Sequence, residues 1–201
     1  TGLSEAFLID SKTYQTIIEE DEHAKEHIFP FLQGRNITPY GKAEASSYLI
    51  LFAKGWTQRK QSFENENEAW NYLKTQYPSI ASWLEPFAEK GRKRTDKGDY
   101  WWELRACDYY EIFDKPKIMY QKFQVKPCFV YDLNGLYCND SMWVIPTESK
   151  VLLAVLNSRM GWWLITKFCS QIQGGYQLIW KYFGQIPIIN YDDKYLSAYA
   201  D

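Results

Sequence analysis

The sequence predicts an α+β fold, a mostly antiparallel sheet core with bracketing helices. Three observations predict it: helical patterning at both ends of the chain, a run of short β-rich segments through its middle, and an Asn134-Gly135 pair of the kind that turns hairpins.

Taken in order, AFLI (6–9) reads as a short strand. Asp10 or Ser11 can cap a helix through SKTYQTIIEE, because a short polar side chain accepts the free N–H groups of a first turn. DEHAKEHI adds a further turn that stops before Pro30. FLQGRNITPYGK is a loop punctuated by Gly34, Pro39 and Gly41, and SSYLILFA (46–53) is a strand. From Glu64 to Gln76 the pattern is helical, with Ala69, Trp70 and Leu73 on one face. Pro78 ends that helix, Ser79 can cap a second, SIASWLEPFAEK, and Pro86 bends or shortens its later turns. GRKRTDKGD is a basic loop without an apolar anchor. YWWELRAC, KIMYQKF, PCFVYD and YCNDSMWVIP then read as strands. Thr147 can cap a helix beginning near Glu148 and running through VLLAVLNS, RMGWWLITKFCS is a second helix, and QGGYQLIWKYFGQIPIIN with a polar tail closes the chain.

At 201 residues one domain is expected, with sub-lobes over 1–90 and 91–190. The opening TGLSEAF has no initiator Met or signal-peptide pattern and reads as a piece of a longer protein. No apolar run approaches the roughly 18 residues of a membrane span. Cys107, Cys128, Cys138 and Cys169 form no CxxC pair, so zinc spacing is missing and free thiols of a reducing cytoplasm are expected. Net charge is only −2, but residues 1–89 carry 8 Lys/Arg against 13 Asp/Glu and residues 90–190 carry 14 against 9. That asymmetry can place a positive face on the later part. Aromatic residues at 18% fill cores, and they also make stacking surfaces for bases or sugars.

Motifs that would carry catalysis are few in the sequence. GxGxxG, phosphate-cradling and nucleophile-elbow patterns are missing. His23 and His27 stand four residues apart in an acidic stretch, a weak metal pattern. Asp99 and Glu103 with Lys115 or Lys117 are the nearest approach to a metal-dependent nuclease. Asn36-Ile37-Thr38-Pro39-Tyr40 looks like a stretched form of the Asn-Pro-Pro-Tyr loop of adenine methyltransferases, without a methyl-donor pocket before it.

Six segments organise the rest: TGLSEAFLID, IFPFLQGRNITPY, DYWWELR with KPKIMYQKF, the strands ending in SMWVIP, LLAVLNSRMGWW, and QGGYQLIWKYFGQIPI. In this order they resemble the TaqI-like C-terminal specificity domain of type IIG restriction-modification enzymes and related adenine-specific DNA methyltransferases, and more distantly the target recognition domains of type I specificity subunits. The resemblance implies a non-catalytic fragment that reads double-stranded DNA. It would present the target adenine to methyltransferase and nuclease domains of the same parent chain. S-adenosylmethionine and Mg would serve the parent, and no cofactor this fragment.

DNA recognition needs cations for phosphates and amide or guanidinium groups for base edges. Arg92, Lys93 and Arg94 are the phosphate candidates. Arg35, in the Gly34-Arg35 turn that matches the family, can contact phosphate or brace its loop. Arg105 can point toward DNA or pair locally. Lys117, Gln121, Lys122 and Gln124 lie on the next strand and its exit, where base readout is expected. Tyr176 follows Gly174-Gly175, a turn that can also let the backbone approach DNA. Two other readings compete: a carbohydrate- or protein-binding module on the Trp/Tyr surface, and a small metal-dependent nuclease.

Overall fold

A computed structural model describes residues 2–38 and 41–188. The backbone is α+β and divides into two units, residues 1–31 with 45–110 and residues 32–44 with 111–201. Pro39 and Tyr40 of the Asn36–Tyr40 loop, and the polar tail, lie outside the described residues.

In the first unit, α1 (Ser4–Phe7) leads into β1 (Leu8–Ile9), so AFLI is half helix rather than all strand. Helical turning buries both Ala6 and Phe7, and the Trp83 indole N–H donates to the Ala6 carbonyl at 2.8 Å. Asp10 caps α2 (Ser11–Glu20) by accepting from the Thr13 N–H at 2.7 Å, as its sequence predicts. A 3-10 helix over Glu22–His27 delivers the chain to β2 (Ile28–Leu32). β3 (Ser47–Ile50) lies between β1 and β2, antiparallel to both. Three helices follow: α3 (Trp56–Lys60), α4 (Glu66–Gln76) and α5 (Pro78–Leu84). Pro78, not Ser79, opens α5, since a first helical position has no need of the missing N–H. Pro86 sits in a 3-10 turn (Glu85–Phe87) before α6 (Ala88–Arg92).

DYWWELR is not a strand. The Glu103 carboxylate, fully buried, accepts from the backbone N–H groups of Gly55 (3.0 Å), Thr57 (2.9 Å), Asp99 (2.8 Å) and Tyr100 (3.4 Å). Folding the chain around one carboxylate turns Trp101 and Trp102 both inward, where an alternating strand would have separated them.

The second unit is built on a sheet of β4 (Lys117–Gln121), β6 (Phe129–Asp132) and β8 (Met142–Pro146) in the order β6-β4-β8, with β5 (Phe123–Gln124) and β7 (Tyr137–Cys138) between them in sequence. Alternation along β4 buries both faces. Ile118 and Tyr120 join Phe129, Leu156, Ile165 and Phe183 in one cluster, while Met119 joins Val130, Leu136 and Met142 in another. Gly135 has φ 69°, so a turn forms at Asn134-Gly135, but β6 pairs with β4 and no hairpin closes there. α7 (Lys150–Asn157) is capped by Ser149, which accepts from the Leu152 N–H at 3.0 Å, rather than by Thr147. Ser158 caps α8 (Arg159–Phe168) in the same way through the Gly161 N–H. Along edge strand β6, the Asn157 amide brackets Phe129: its Oδ1 accepts from the Phe129 N–H at 3.0 Å and its Nδ2 donates to the Phe129 carbonyl at 2.9 Å.

Candidate nucleic-acid interface

After α8 the chain forms a second small sheet of order β5-β10-β9, from β9 (Ser170–Ile172) and β10 (Gly175–Gln177), and then α9 (Trp180–Phe183). Gln173 and Gly174 make the two-residue turn between β9 and β10, with φ 46° and 80°, the two positive values a type I′ hairpin requires. The turn therefore falls one residue before Gly174-Gly175. Gly175 is needed for close approach instead: a Cβ there would stand 2.5 Å from the Phe123 ring and 2.7 Å from the Gln124 carbonyl.

Several predicted site residues gather at this sheet. Tyr176 lies opposite Gln124 across the ladder and packs edge-on against Trp162, with 5.5 Å between ring centroids. The Lys122 carbonyl accepts from the Leu178 N–H at 2.7 Å, and the Lys122 ammonium lies 4.9 Å from the Trp143 ring centroid. Gly34 is buried against Gln121, whose Cγ and Nε2 would both be 3.1 Å from a Cβ added to that glycine. The same turn leaves Arg35 exposed.

Other predicted contacts are turned inward. Lys117 is fully buried, paired with the equally buried Asp132 at 2.5 Å and donating to the Phe113 carbonyl. Desolvating an ammonium is costly unless it is paired, and the register that sets Lys117 opposite Asp132 supplies the partner. Gln124 is buried too; its amide donates to the Cys128 carbonyl at 3.2 Å and accepts from the Cys128 N–H at 2.9 Å, pinning the β5–β6 connection. Arg94, in the first unit, donates to the carbonyls of Trp101 (3.1 Å) and Glu103 (2.8 Å) and lies 4.5 Å from the Phe7 ring centroid. Burial lowers its pKa, with Asp96 opposing the shift. These three are structural groups, not surface for a polyanion.

The basic loop is also ordered. Arg92 meets Glu66 at 2.6 Å, Lys93 meets Glu89 at 2.6 Å, and the Lys97 ammonium donates to the Arg92 carbonyl. Both Arg92 and Lys93 stay exposed, as does Arg105, whose carbonyl accepts from the Tyr110 hydroxyl at 3.3 Å.

The nuclease constellation does not assemble. The Glu103 oxygens are occupied by backbone N–H groups, and Asp99 faces Lys54 at 3.7 Å. His23 and His27 stand on a 3-10 helix, where i and i+4 do not align. His27 Nδ1 lies 3.0 Å from the Leu51 carbonyl, and burial lowers its pKa. Among the described residues no group of three His, Cys, Asp or Glu could hold a metal ion. The four cysteines are free, and burial pushes the Cys138 thiol up to about 12 and that of Cys169 to about 11, so neither is a ready nucleophile.

Sequence reasoning missed Gln171, Gln173 and Gln177 on the hairpin, and the exposed cations Lys126, Arg159, Lys167 and Lys181. A signal was there to find. Residues 115–131 and 149–191 contain no Asp or Glu, and these are the segments that build both the small sheet and the helices beside it. Lys167 stands 5.7 Å from the Trp163 ring and Lys181 5.5 Å from Tyr182, so cations and exposed aromatics alternate over this part of the surface.

A family model described as the TaqI-like C-terminal specificity domain matches residues 29–188. The chain belongs to this family. A search of curated proteins finds no match. Among solved structures, the type IIL restriction-modification enzyme MmeI, determined in complex with DNA, is similar with a TM-score of 0.65 and 10% identity. That likeness covers 99% of this chain and 25% of the enzyme, so the specificity domain spans about a quarter of that length and shares its fold. No helix among the described residues is long and apolar enough to cross a membrane.

Proposed function

We propose that the chain is the sequence-specific double-stranded DNA recognition domain of a type IIG restriction endonuclease and adenine-N6 DNA methyltransferase, working in the cytoplasm. Methyltransferase and nuclease domains elsewhere in the parent chain would use S-adenosylmethionine and Mg, while this domain positions the target. The observation that carries this reading is that the segments building the β5-β10-β9 sheet and its neighbouring helices, residues 115–131 and 149–191, hold lysines, arginines and glutamines but no Asp or Glu.

Arg35, Lys122, Lys126, Arg159, Lys167 and Lys181 are the phosphate contacts of this reading, with Arg92, Lys93 and Arg105 secondary. Gln121 and Tyr176 stand at the base-reading edge. Phosphate contacts release counterions, so log K for a duplex falls with log[salt] by about 0.9 per neutralised phosphate. The test is a salt titration of duplex binding by the 201-residue chain, before and after Lys122, Lys126 and Lys181 are changed to Ala. Weaker binding and a shallower slope in the triple variant are expected. Failure of the unaltered chain to retain duplex DNA at low salt, with glycan retention in its place, would sink the proposal in favour of a carbohydrate-binding module.

A further inference from the structure

The hairpin of β9 and β10 carries a feature that packing does not require. All three residues of β9 are exposed, and a Cβ placed on Gly174 would meet nothing within 4 Å, so the tip stands clear. Gln173 is the one non-glycine residue with positive φ among the described residues. Two-residue hairpins of this type ordinarily place Asn, Asp or Gly at that position, because left-handed backbone is costly for longer side chains. Gln173 thus strains its own turn while its exposed side chain adds nothing to the core. Strain that packing does not explain points to a use for the side chain.

What glutamine supplies there is a carboxamide on a long arm at the end of a ribbon. Gln171 holds a second one two residues earlier, opposite Tyr176, whose ring anchors the ribbon against Trp162. The major groove admits a two-stranded β-ribbon, and a glutamine amide can make a bidentate contact with adenine at N6 and N7. The lack of carboxylates from residue 149 to 191 removes the repulsion that would keep such a ribbon from DNA.

We infer that the Gln171–Gln177 hairpin is a base-reading ribbon that enters the major groove, with Gln171 and Gln173 selecting adenine. This rests on the duplex-DNA reading above and names the specificity-determining residues within it.

The test selects bound sequences from a duplex pool with a randomised central segment, using the unaltered 201-residue chain, Gln173→Gly and Gln171→Ala. Glycine suits the turn, so Gln173→Gly should keep or raise Tm and leave the fold intact. The unaltered chain should enrich a motif containing adenine at one or more positions. Each variant should lose preference at one such position by about ten- to a hundredfold, with the other positions kept. Unchanged preferences at every position in both variants would overturn the inference and leave duplex binding standing. So would a wild-type chain that binds duplexes without enriching any motif. Absence of duplex retention by the wild-type chain would instead remove the functional reading itself.

Discussion

The two units hold their positive charges in opposite ways. In the first, Lys25, Lys54, Lys74, Lys90, Arg92 and Lys93 each lie against a carboxylate, of Glu22, Asp99, Glu85, Glu5, Glu66 and Glu89 respectively. In the second, Lys117 pairs with Asp132, and that pair is buried. Lys122, Lys167 and Lys181 there stand beside aromatic rings. The most basic run in the sequence, 90–97, is therefore the part whose charge is largely cancelled. Availability to a polyanion follows from where the carboxylates are, not from the density of Lys and Arg.

That contrast can be broken at its buried end first. Lys117→Met strands Asp132 in the core with only the N–H groups of Asn134 and Leu136, and should cost about 3–5 kcal/mol of stability in urea unfolding. A loss below about 1 kcal/mol would mean that the pair is not what holds this end of the sheet. In the first unit, Glu103→Gln replaces an acceptor of four backbone N–H groups by an amide that brings its own donors. A cost of about 2–3 kcal/mol is expected by the same measurement.

Smaller effects sharpen the comparison on the surface. Lys122→Ala, Lys126→Ala and Lys181→Ala together should weaken duplex binding more than tenfold at low salt. Arg92→Ala with Lys93→Ala should change it less than threefold, because each lies against a glutamate and exposed pairs of this kind are worth only about 0–1 kcal/mol. The reverse ranking in a fluorescence anisotropy titration would return the basic loop to the interface.

The smallest effect is that of His27. Burial lowers its folded pKa below the ordinary 6.5, so the folded state binds fewer protons than the unfolded chain between the two values. Its contribution is fully present above pH 6.5 and is lost as pH falls through that window. His27→Gln should flatten the decline of Tm between pH 7 and pH 5 relative to the unaltered chain, and identical slopes would count against the assignment.

Local signals carried much of the architecture. Asp10 capping α2, the helix at Glu66–Gln76, Pro86 in its 3-10 turn and the strands of KIMYQ, FVYD and MWVIP all follow from neighbours in sequence. The errors came where a distant partner decides. Trp101-Trp102 reads as a strand because tryptophan favours half-buried pleated surface, but Glu103 bonds to Gly55 and Thr57, more than forty residues away, and turns the chain instead. Lys117 reads as a surface cation until KIMYQ is laid antiparallel to FVYD, which sets it directly against Asp132. Gln173 is masked in the sequence by the glycine pair beside it, the stronger local signal for a hairpin tip. Within the candidate site, Gln121, Lys122 and Tyr176 were legible from the family's segments. The hairpin amides were not, since their importance lies in exposure and backbone conformation.

The Asn157 bracket on Phe129 has a consequence for the domain's social behaviour. A free strand edge is a template on which another polypeptide can crystallise into continuous sheet, and β6 is such an edge. By presenting one acceptor and one donor to a single residue, Asn157 acts as a one-residue decoy strand that occupies the position a stranger would use to begin pairing. The protection comes from a helix of the same unit, so it stays with the module whatever polypeptide the module is joined to.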